Sequence, residues 1–173
     1  KLYLHRNEFM NDTNILKKME INNEISEINS ISDLYKKEKL LEPLIINSAI
    51  VIYKDDEKAI IKRQEDRAIY IYQNAQDLKL GYSYDLQINQ IFDYYGLKEI
   101  KDFTILNKLE EIKNYENLYL DAKSIDILDF RYENEIITNL KGVMKNSKLY
   151  LDNNKYIKIY SKDKKLLPKD GYK

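Results

Sequence analysis

The sequence predicts a mainly β protein built from tandem copies of one small domain, and two observations lead to this prediction. Residues 45–105 contain several short apolar segments with the period-two alternation of half-buried strands, separated by polar turn signals. Residues 67–72 (RAIYIY) also return as residues 155–160 (KYIKIY), so that Ile69 and Ile157 lie 157 − 69 = 88 positions apart. A period of this length is too long for a solenoid unit and indicates copies of a whole domain.

A second echo in the sequence agrees with the first. Residues 15–20 resemble residues 105–110, and the two segments are displaced by 105 − 15 = 90 positions. The middle of the chain then holds one complete copy, preceded by the tail of another and followed by a copy cut short. The predicted divisions are an N-terminal segment 1–29 (the tail of a preceding repeat or an added strand), a complete domain 30–107, a helical linker 108–123 and a second, incomplete domain 124–173.

Three strands are predicted in the first part of the complete copy. Residues 45–52 are apolar and rich in β-branched side chains, residues 59–62 follow an acidic turn signal, and residues 68–72 alternate strictly. In the third of these strands Ile69 and Ile71 face one side, and the two tyrosines face the other.

Two further strands follow a short polar connection. Tyr84, Leu86 and Ile88 alternate with polar residues, and residues 97–105 form the fifth strand. Gly96 supplies the positive φ that the hairpin turn between them favours, and the two tyrosines of this turn are expected to pack over the barrel end or, alternatively, to form an exposed tip. We expect these strands to form a closed or nearly closed five-stranded barrel, with a core of Ile50, Ile52, Ile69, Ile71, Leu86 and Ile88.

Short helices are predicted on both sides of these strands. Ser32 is expected to cap a helix that ends before Pro43. Leu106, Leu109 and Ile112 fall on one face of a second predicted helix, which would link the two copies.

Composition limits the chemistry that the chain can carry. Basic and acidic residues balance at 29 each. This balance argues against an overall positive electrostatic potential that would attract nucleic acid or anionic membrane, but it allows a local basic patch. There is no cysteine and a single histidine, His5, so thiolate catalysis and zinc sites of His and Cys are excluded. No stretch approaches the roughly 20 apolar residues of a membrane helix. We expect a non-catalytic chain with no cofactor, no metal site and no membrane span.

The order of the motifs resembles a known group of domains. Four motifs follow one another in the complete copy. They are an aliphatic strand at residues 50–52, an aliphatic-Tyr strand at 69–72, a Leu-x-x-Gly turn at 78–81 and a Tyr-Gly-Leu-x-x-Ile hairpin at 94–100. The next copy carries similar pieces at residues 140–143, 157–160 and 167–171. This series resembles the OB-fold domains attached to secreted bacterial nucleases and related envelope proteins. The resemblance implies OB-like five-stranded barrels in tandem with short connecting helices.

The resemblance also implies a binding face. OB barrels bind ligands on the face of their second and third strands, where aromatic side chains stack on bases and basic groups follow the backbone. The candidate binding residues on this face are Tyr53, Lys62, Arg63, Arg67, Tyr70 and Tyr72.

The predicted function is that of a non-catalytic binding module in a larger envelope or secreted protein, which recognises single-stranded or extended nucleic acid. The alternative is a structural or protein-interaction module with no affinity for nucleic acid. The first function requires Lys62, Arg63 and Arg67 to cluster beside Tyr70 and Tyr72. An extracellular or cell-envelope location is expected, although the composition fits a cytosolic protein too.

The incomplete copy leads to a hypothesis on assembly. It stops just before its fourth strand, so it would lack two strands and leave edges with unpaired backbone groups. Residues 1–9 alternate like a strand and are expected to fill this vacancy, either within the chain or from a neighbouring chain in a head-to-tail assembly.

Overall fold

A computed structural model of the chain describes residues 27–28, 30–151 and 155–171. The chain divides into two compact units between Leu118 and Tyr119, and each unit is considered by itself. The strand predicted within residues 1–10 lies outside the described residues, as does most of the predicted N-terminal segment. In the described ranges no helix is long and apolar enough to cross a membrane.

The chain is mainly β, as predicted. The five strands expected between residues 45 and 105 are present in the expected order, and the last two extend beyond their predicted bounds. Tyr95 and Gly96, in the turn between those two strands, both have positive φ, 51° and 89°, which suits a two-residue hairpin turn. The elements of the first unit are β1 (Glu27–Ile28), α1 (Ser32–Tyr35), β2 (Leu44–Lys54), β3 (Ala59–Lys62), β4 (Ala68–Ile71), β5 (Tyr82–Tyr94), β6 (Leu97–Glu111) and a 3-10 helix at Tyr115–Leu118.

Strands β2 to β6 pair in a closed cycle. β2, β3 and β4 form an antiparallel meander, and β4 pairs in parallel with β6. β6 pairs antiparallel with β5, and β5 returns to pair with the first part of β2. The short β1 lies parallel to the beginning of β2. β2 therefore has strand neighbours on both sides.

Two irregularities in β2 change which of its residues face the core. The register against β5 shifts between Ile46 and Ala49, where Ser48 has a φ of 55° and its N–H donates to a carboxylate oxygen of Asp85 at 3.0 Å. A second shift, against β3, follows Val51. A bulge adds one residue to a strand and moves the side chains that follow to the other face. The simple alternation expected for this strand is therefore interrupted.

The core prediction is confirmed for five of the six residues, which have no exposed surface. The prediction for Ile50 is wrong, because this side chain is half-buried. The bulge at Ser48 turns Ala49 and Val51 inward in its place. The confirmed residues are Ile52, Ile69, Ile71, Leu86 and Ile88, and the buried set also includes Ile61, Tyr84, Ile91 and Ile100.

Helix α1 is held by a carboxylate from the turn between β3 and β4. The predicted cap is wrong, because Ser32 is the first helical residue and Ile31 stands at the N-cap without a side-chain cap bond. Instead, the N–H groups of Ile31 and Ser32 and the Ser32 hydroxyl all donate to the carboxylate of Asp66, the last two at 3.1 and 2.7 Å. N–H groups at a helix start have no partner inside the helix, so this contact satisfies them. Ile31 and Leu34 are fully buried, which ties the helix to the core.

The helix predicted between the two copies is wrong. β6 continues to Glu111 as the partner of β5, with Lys108 opposite Tyr84, and the 3-10 helix at Tyr115–Leu118 is the one helical piece described within residues 108–123. The leucine spacing that suggested a helix is real, but pairing with a neighbouring strand decides the conformation, since tertiary contacts override local propensity.

The described residues of the second unit form two small sheets. β7 and β8 pair in parallel, and β9, β10 and β11 form an antiparallel meander in that order. Asn146 and Ser147 join β9 to β10 with positive φ at both residues. The elements are β7 (Leu120–Asp121), a 3-10 helix at Phe130–Tyr132, β8 (Ile137–Thr138), β9 (Val143–Lys145), β10 (Lys148–Tyr150), β11 (Tyr156–Lys158) and a 3-10 helix at Lys164–Leu166.

Candidate binding face

One face of β2, β3 and β4 carries the tyrosines singled out in the sequence. Tyr53 lies opposite Ile60, and Ile60 lies opposite Tyr70, so these side chains project from the same face of three neighbouring strands. Tyr72 directly follows β4 and continues the alternation of Tyr70. Tyr53 and Tyr72 are 42% and 43% exposed, and Tyr70 is half-buried. We call Tyr53, Ile60, Tyr70 and Tyr72 the tyrosine face.

Contacts from the protein itself orient the Tyr72 ring. It packs edge-to-face on Phe92 of β5, with ring centroids 5.7 Å apart, and the Lys58 Nζ lies 5.7 Å from its centre. The Tyr72 N–H also donates to the carbonyl of Ile100 at 3.0 Å, which extends the pairing of β4 with β6. An aromatic pair of this kind contributes about 0.5–1.5 kcal/mol beyond area burial. The ring is therefore positioned before any ligand is present.

The Tyr70 phenol is partly buried and feels negative charges. Burial raises the pKa of Tyr70 to about 12, and the negative charges of Glu99 and Asp55 act in the same direction, because an ionised phenol beside them would add a further negative charge. Glu99 lies opposite Tyr70 in the parallel pair of β4 and β6 and is only 5% exposed. The charges that act on the Tyr70 phenol are thus negative, whereas a lysine, Lys58, lies beside Tyr72.

We expect a difference titration to detect this environment. The phenolate absorbance of the wild-type protein minus that of Tyr70→Phe should show a group that ionises near pH 12 instead of near its ordinary 10. The folded state holds this proton more tightly than the unfolded state, so the stabilisation is complete below pH 10 and is lost as the pH rises toward 12. Glu99→Gln should lower the pKa of Tyr70, because it removes one negative charge. A difference curve centred near pH 10 would contradict this geometry.

Two of the candidate basic residues lie at the end of β3. Lys62 pairs with Ala68 and is 5% exposed, and Arg63, the next residue, is half-buried. Lys62 lies two residues along β3 from Ile60, the residue opposite Tyr70. Successive residues of a strand rise by about 3.3 Å, so Lys62 is displaced by roughly 7 Å from Tyr70 along the strand direction. Lys62 shares a face with Tyr70 but has little exposed surface for a ligand.

Arg67 takes part in a contact with helix α1. Its guanidinium lies 3.5 Å from the centre of the Tyr35 ring, a cation–π distance, and the Tyr35 hydroxyl donates to the carbonyl of Ala68 at 2.5 Å. Five residues of extended chain, roughly 17 Å, separate Arg67 from Tyr72. The structure therefore brings the three tyrosines together but does not place Arg67 beside Tyr72.

The turn between β5 and β6 adds two more aromatic rings beyond Phe92. Tyr94 and Tyr95 pack edge-to-face with centroids 4.8 Å apart and are 53% and 93% exposed. Lys98 and Asp93 form an ion pair at 2.8 Å across the base of this turn. The expectation that these rings pack over the end of the strands is wrong, and the alternative of an exposed tip is the one observed.

Phe92 was missed in the sequence because β5 is irregular. Alternation continued from Ile88 would place Phe92 inside, but register shifts on both sides of Gln90 turn Ile91 inward and Phe92 outward. The one signal available was the polar Gln90, which interrupts the apolar phase of the strand.

In the part of the chain that the structure describes, no group of three or more His, Asp or Glu side chains could hold a metal ion. No protein-family model, curated protein or solved structure matches the chain. The candidate functional site is therefore the tyrosine face with its surroundings.

Proposed function

We propose that residues 30–118 form an OB-type barrel that acts as a non-catalytic binding module, and that its tyrosine face binds a protein partner with exposed basic and apolar side chains. The closed cycle of strands and the position of the tyrosines on β2 to β4 support this proposal, since OB domains bind their ligands on this face. Glu99 lies opposite Tyr70 in the pair of β4 and β6, and the exposed Asp55 follows Tyr53 by two residues; these carboxylates favour a partner with basic groups. Tyrosine suits protein interfaces, and negative charge near a binding face attracts basic groups and repels phosphates.

The wider setting of this module is part of the proposal. The second unit would be the beginning of another OB-like domain, and the chain would belong to a larger envelope or secreted protein, as the resemblance to OB domains implies. The exposed Tyr94–Tyr95 tip supports a binding role, because the loop between the last two strands is a ligand-binding loop of OB domains.

Single-stranded nucleic acid is the second candidate ligand. The observation that favours it is the placement of Tyr53, Tyr70 and Tyr72 on one face, since base stacking contributes about 1–3 kcal/mol per base and tolerates any sequence. Arg63 and Arg67 would then meet phosphates at the far end of the β3–β4 ladder. Such contacts would make the affinity fall steeply with salt.

A titration with two fluorescent ligands separates these candidates. We expect a peptide rich in lysine and leucine to bind the chain at low salt and an oligothymidylate not to bind. The double variant Tyr53→Ala, Tyr72→Ala should weaken peptide binding about tenfold, because truncating a buried interface aromatic costs about 1–2 kcal/mol or more. Asp55→Asn should reduce the salt dependence of peptide binding. Phe130→Ala is the control, since Phe130 is a 78% exposed aromatic residue of the second unit and lies outside its strands, and it should change nothing.

Two outcomes would contradict the protein-binding proposal. Oligothymidylate binding at low salt that weakens in Tyr72→Ala, with a flatter salt dependence in Arg63→Ala and Arg67→Ala, would favour nucleic acid instead. Binding of neither ligand would leave the tyrosine face as a structural surface.

A further inference from the structure

The second unit repeats the strand register of the first. Ile61 of β3 lies opposite Ile69 of β4, and Leu149 of β10 lies opposite Ile157 of β11. Both members of the pair are displaced by the same number of positions, since 149 − 61 = 88 and 157 − 69 = 88. The pairs before and after this one keep the same displacement. The two ladders are therefore equivalent residue by residue.

The equivalence extends to a backbone hydrogen bond that follows the third strand of each meander. The Gly81 N–H donates to the carbonyl of Val51 at 2.9 Å, and the Gly171 N–H donates to the carbonyl of Met144 at 2.8 Å. Val51 lies opposite Ile61, and Met144 lies opposite Leu149, the equivalent of Ile61. The two acceptor carbonyls therefore occupy equivalent positions as well. Both glycines have positive φ, 78° and 83°, a conformation that favours glycine.

The beginning of each unit agrees too. β1 lies parallel to the start of β2, and β7 lies parallel to β8, with Ile46 and Thr138 as matching members of the two pairs. A residue with positive φ follows soon after each, Ser48 at 55° and Asn139 at 56°. The second unit thus has counterparts of β1 to β4 and of Gly81, the residue that leads into β5.

The two units differ at the edges of the meander. In the first unit β5 pairs with β2 and β6 pairs with β4. Among the described residues of the second unit, β8 has β7 as its one strand neighbour, and β9 and β11 each have β10. Burial differs accordingly, because Ile61 and Ile69 have no exposed surface whereas their equivalents Leu149 and Ile157 are half-buried. The described part of the second unit therefore has strand edges without a neighbouring strand, and the apolar pair Leu149 and Ile157 is only partly covered.

We propose that the edge formed by β8 and the beginning of β9, together with the edge of β11, is a docking site for a two-stranded antiparallel β-ribbon with the aliphatic pattern of β5 and β6. One strand of the ribbon adds antiparallel to β8 and the beginning of β9, as β5 does to the equivalent part of β2, and the other adds parallel to the end of β11, as β6 does to β4. Strand addition of this type uses main-chain hydrogen bonds for affinity and alternate side chains for specificity. The equivalent registers mean that the backbone groups of both edges already have the spacing that β5 and β6 meet in the first unit.

The first unit also indicates the chemistry of the occupant. Leu86, Ile88, Ile91 and Ile100 project inward from β5 and β6 and are almost or completely buried against the meander. A ribbon with aliphatic side chains at these positions would cover Leu149 as β5 and β6 cover its equivalent. A polar ribbon would leave that row exposed and would lose most of the hydrophobic stabilisation.

The chain offers a direct test, because residues 171–172 repeat the Gly-Tyr sequence of residues 81–82. The full chain is extended after Tyr172 with a copy of residues 83–118, and backbone hydrogen exchange is measured. In the first unit the Tyr72 N–H donates to a carbonyl of β6, and its equivalent is Tyr160, since 160 − 72 = 88. We expect exchange of the Tyr160 amide to slow by roughly tenfold or more in the extended chain, as for an amide that enters a stable strand pair.

The matched control carries Leu86→Asp and Ile88→Asp in the appended copy, which keeps its length but removes its aliphatic face. The Tyr160 amide should then exchange as in the unextended chain. The Tyr72 amide reports in every sample whether the first unit is folded. If the Tyr160 amide does not slow in the extended chain while the Tyr72 amide stays protected, the proposal is overturned. It is also overturned if the Tyr160 amide of the unextended chain is already as protected as that of Tyr72, because a different occupant would then hold the edge.

Discussion

Replacing Asp66 by alanine is expected to lower the free energy of unfolding of the first unit by about 3 kcal/mol. Its carboxylate accepts hydrogen bonds from the Ile31 N–H, from the N–H and hydroxyl of Ser32, and from the Arg67 N–H at 2.8 Å. A hydrogen bond to a charged group contributes about 1.5–3 kcal/mol, and loss of a helix cap typically costs about 1 kcal/mol. The bonds are not additive, because one carboxylate makes them all and water reaches part of the site.

Urea unfolding of Asp66→Ala against the wild-type chain measures this loss. Asp66→Asn keeps the shape of the side chain but turns an NH₂ group toward one of the donors, so a smaller but clear loss is expected. Asp77→Ala is the matched control, because Asp77 is an exposed residue of the turn before β5, and a change below about 0.5 kcal/mol is expected there. Equal losses for Asp66→Ala and Asp77→Ala would show that Asp66 does not hold α1.

An effect of similar or larger size, about 3–4 kcal/mol, is expected for Ile69→Ala. Ile69 has no exposed surface and lies within the four-residue strand β4, so truncation removes buried carbon atoms and leaves a cavity. Ile157→Ala is its equivalent in the second unit. Because Ile157 is half-buried, we expect a cost below about 1.5 kcal/mol there.

Hydrogen exchange at core amides of each unit measures the two costs separately, which matters because two compact units need not unfold together. The comparison uses the same chemical change at two positions with the same strand pairing. If the two substitutions cost the same, burial at Ile69 and Ile157 must be alike in solution, and the difference between the two units described above would be wrong.

The strands of the first unit were predictable because their signals are local. Ile69 and Ile71 alternate with the tyrosines of β4, and acidic or glycine turns mark the strand ends. Ile50 was misplaced because the bulge at Ser48 changes the phase of β2, and this bulge depends on pairing with β5. The C-terminal part of β6 was mistaken for a helix for a similar reason, since its leucine spacing fits both structures and only the partner strand decides between them.

The candidate site was predictable to the same limited degree. Strict alternation identified Tyr70 and Tyr72 as members of one face. It could not show that Arg67 stacks on Tyr35 or that Glu99 lies opposite Tyr70, because both contacts join segments far apart in the sequence. The negative charge next to Tyr70 thus follows from the parallel pairing of β4 and β6, for which the sequence has no local signal.

The closed cycle of strands also implies an order of folding. β3 and β4 are joined by a short turn and can pair soon after synthesis, whereas Ile46 and Leu86, which pair between β2 and β5, lie 86 − 46 = 40 positions apart. Closing a longer loop costs more entropy, so the distant pairings form later. We therefore expect the meander of a nascent first unit to form before its β5–β6 hairpin docks, and docking then covers the edges of both β2 and β4.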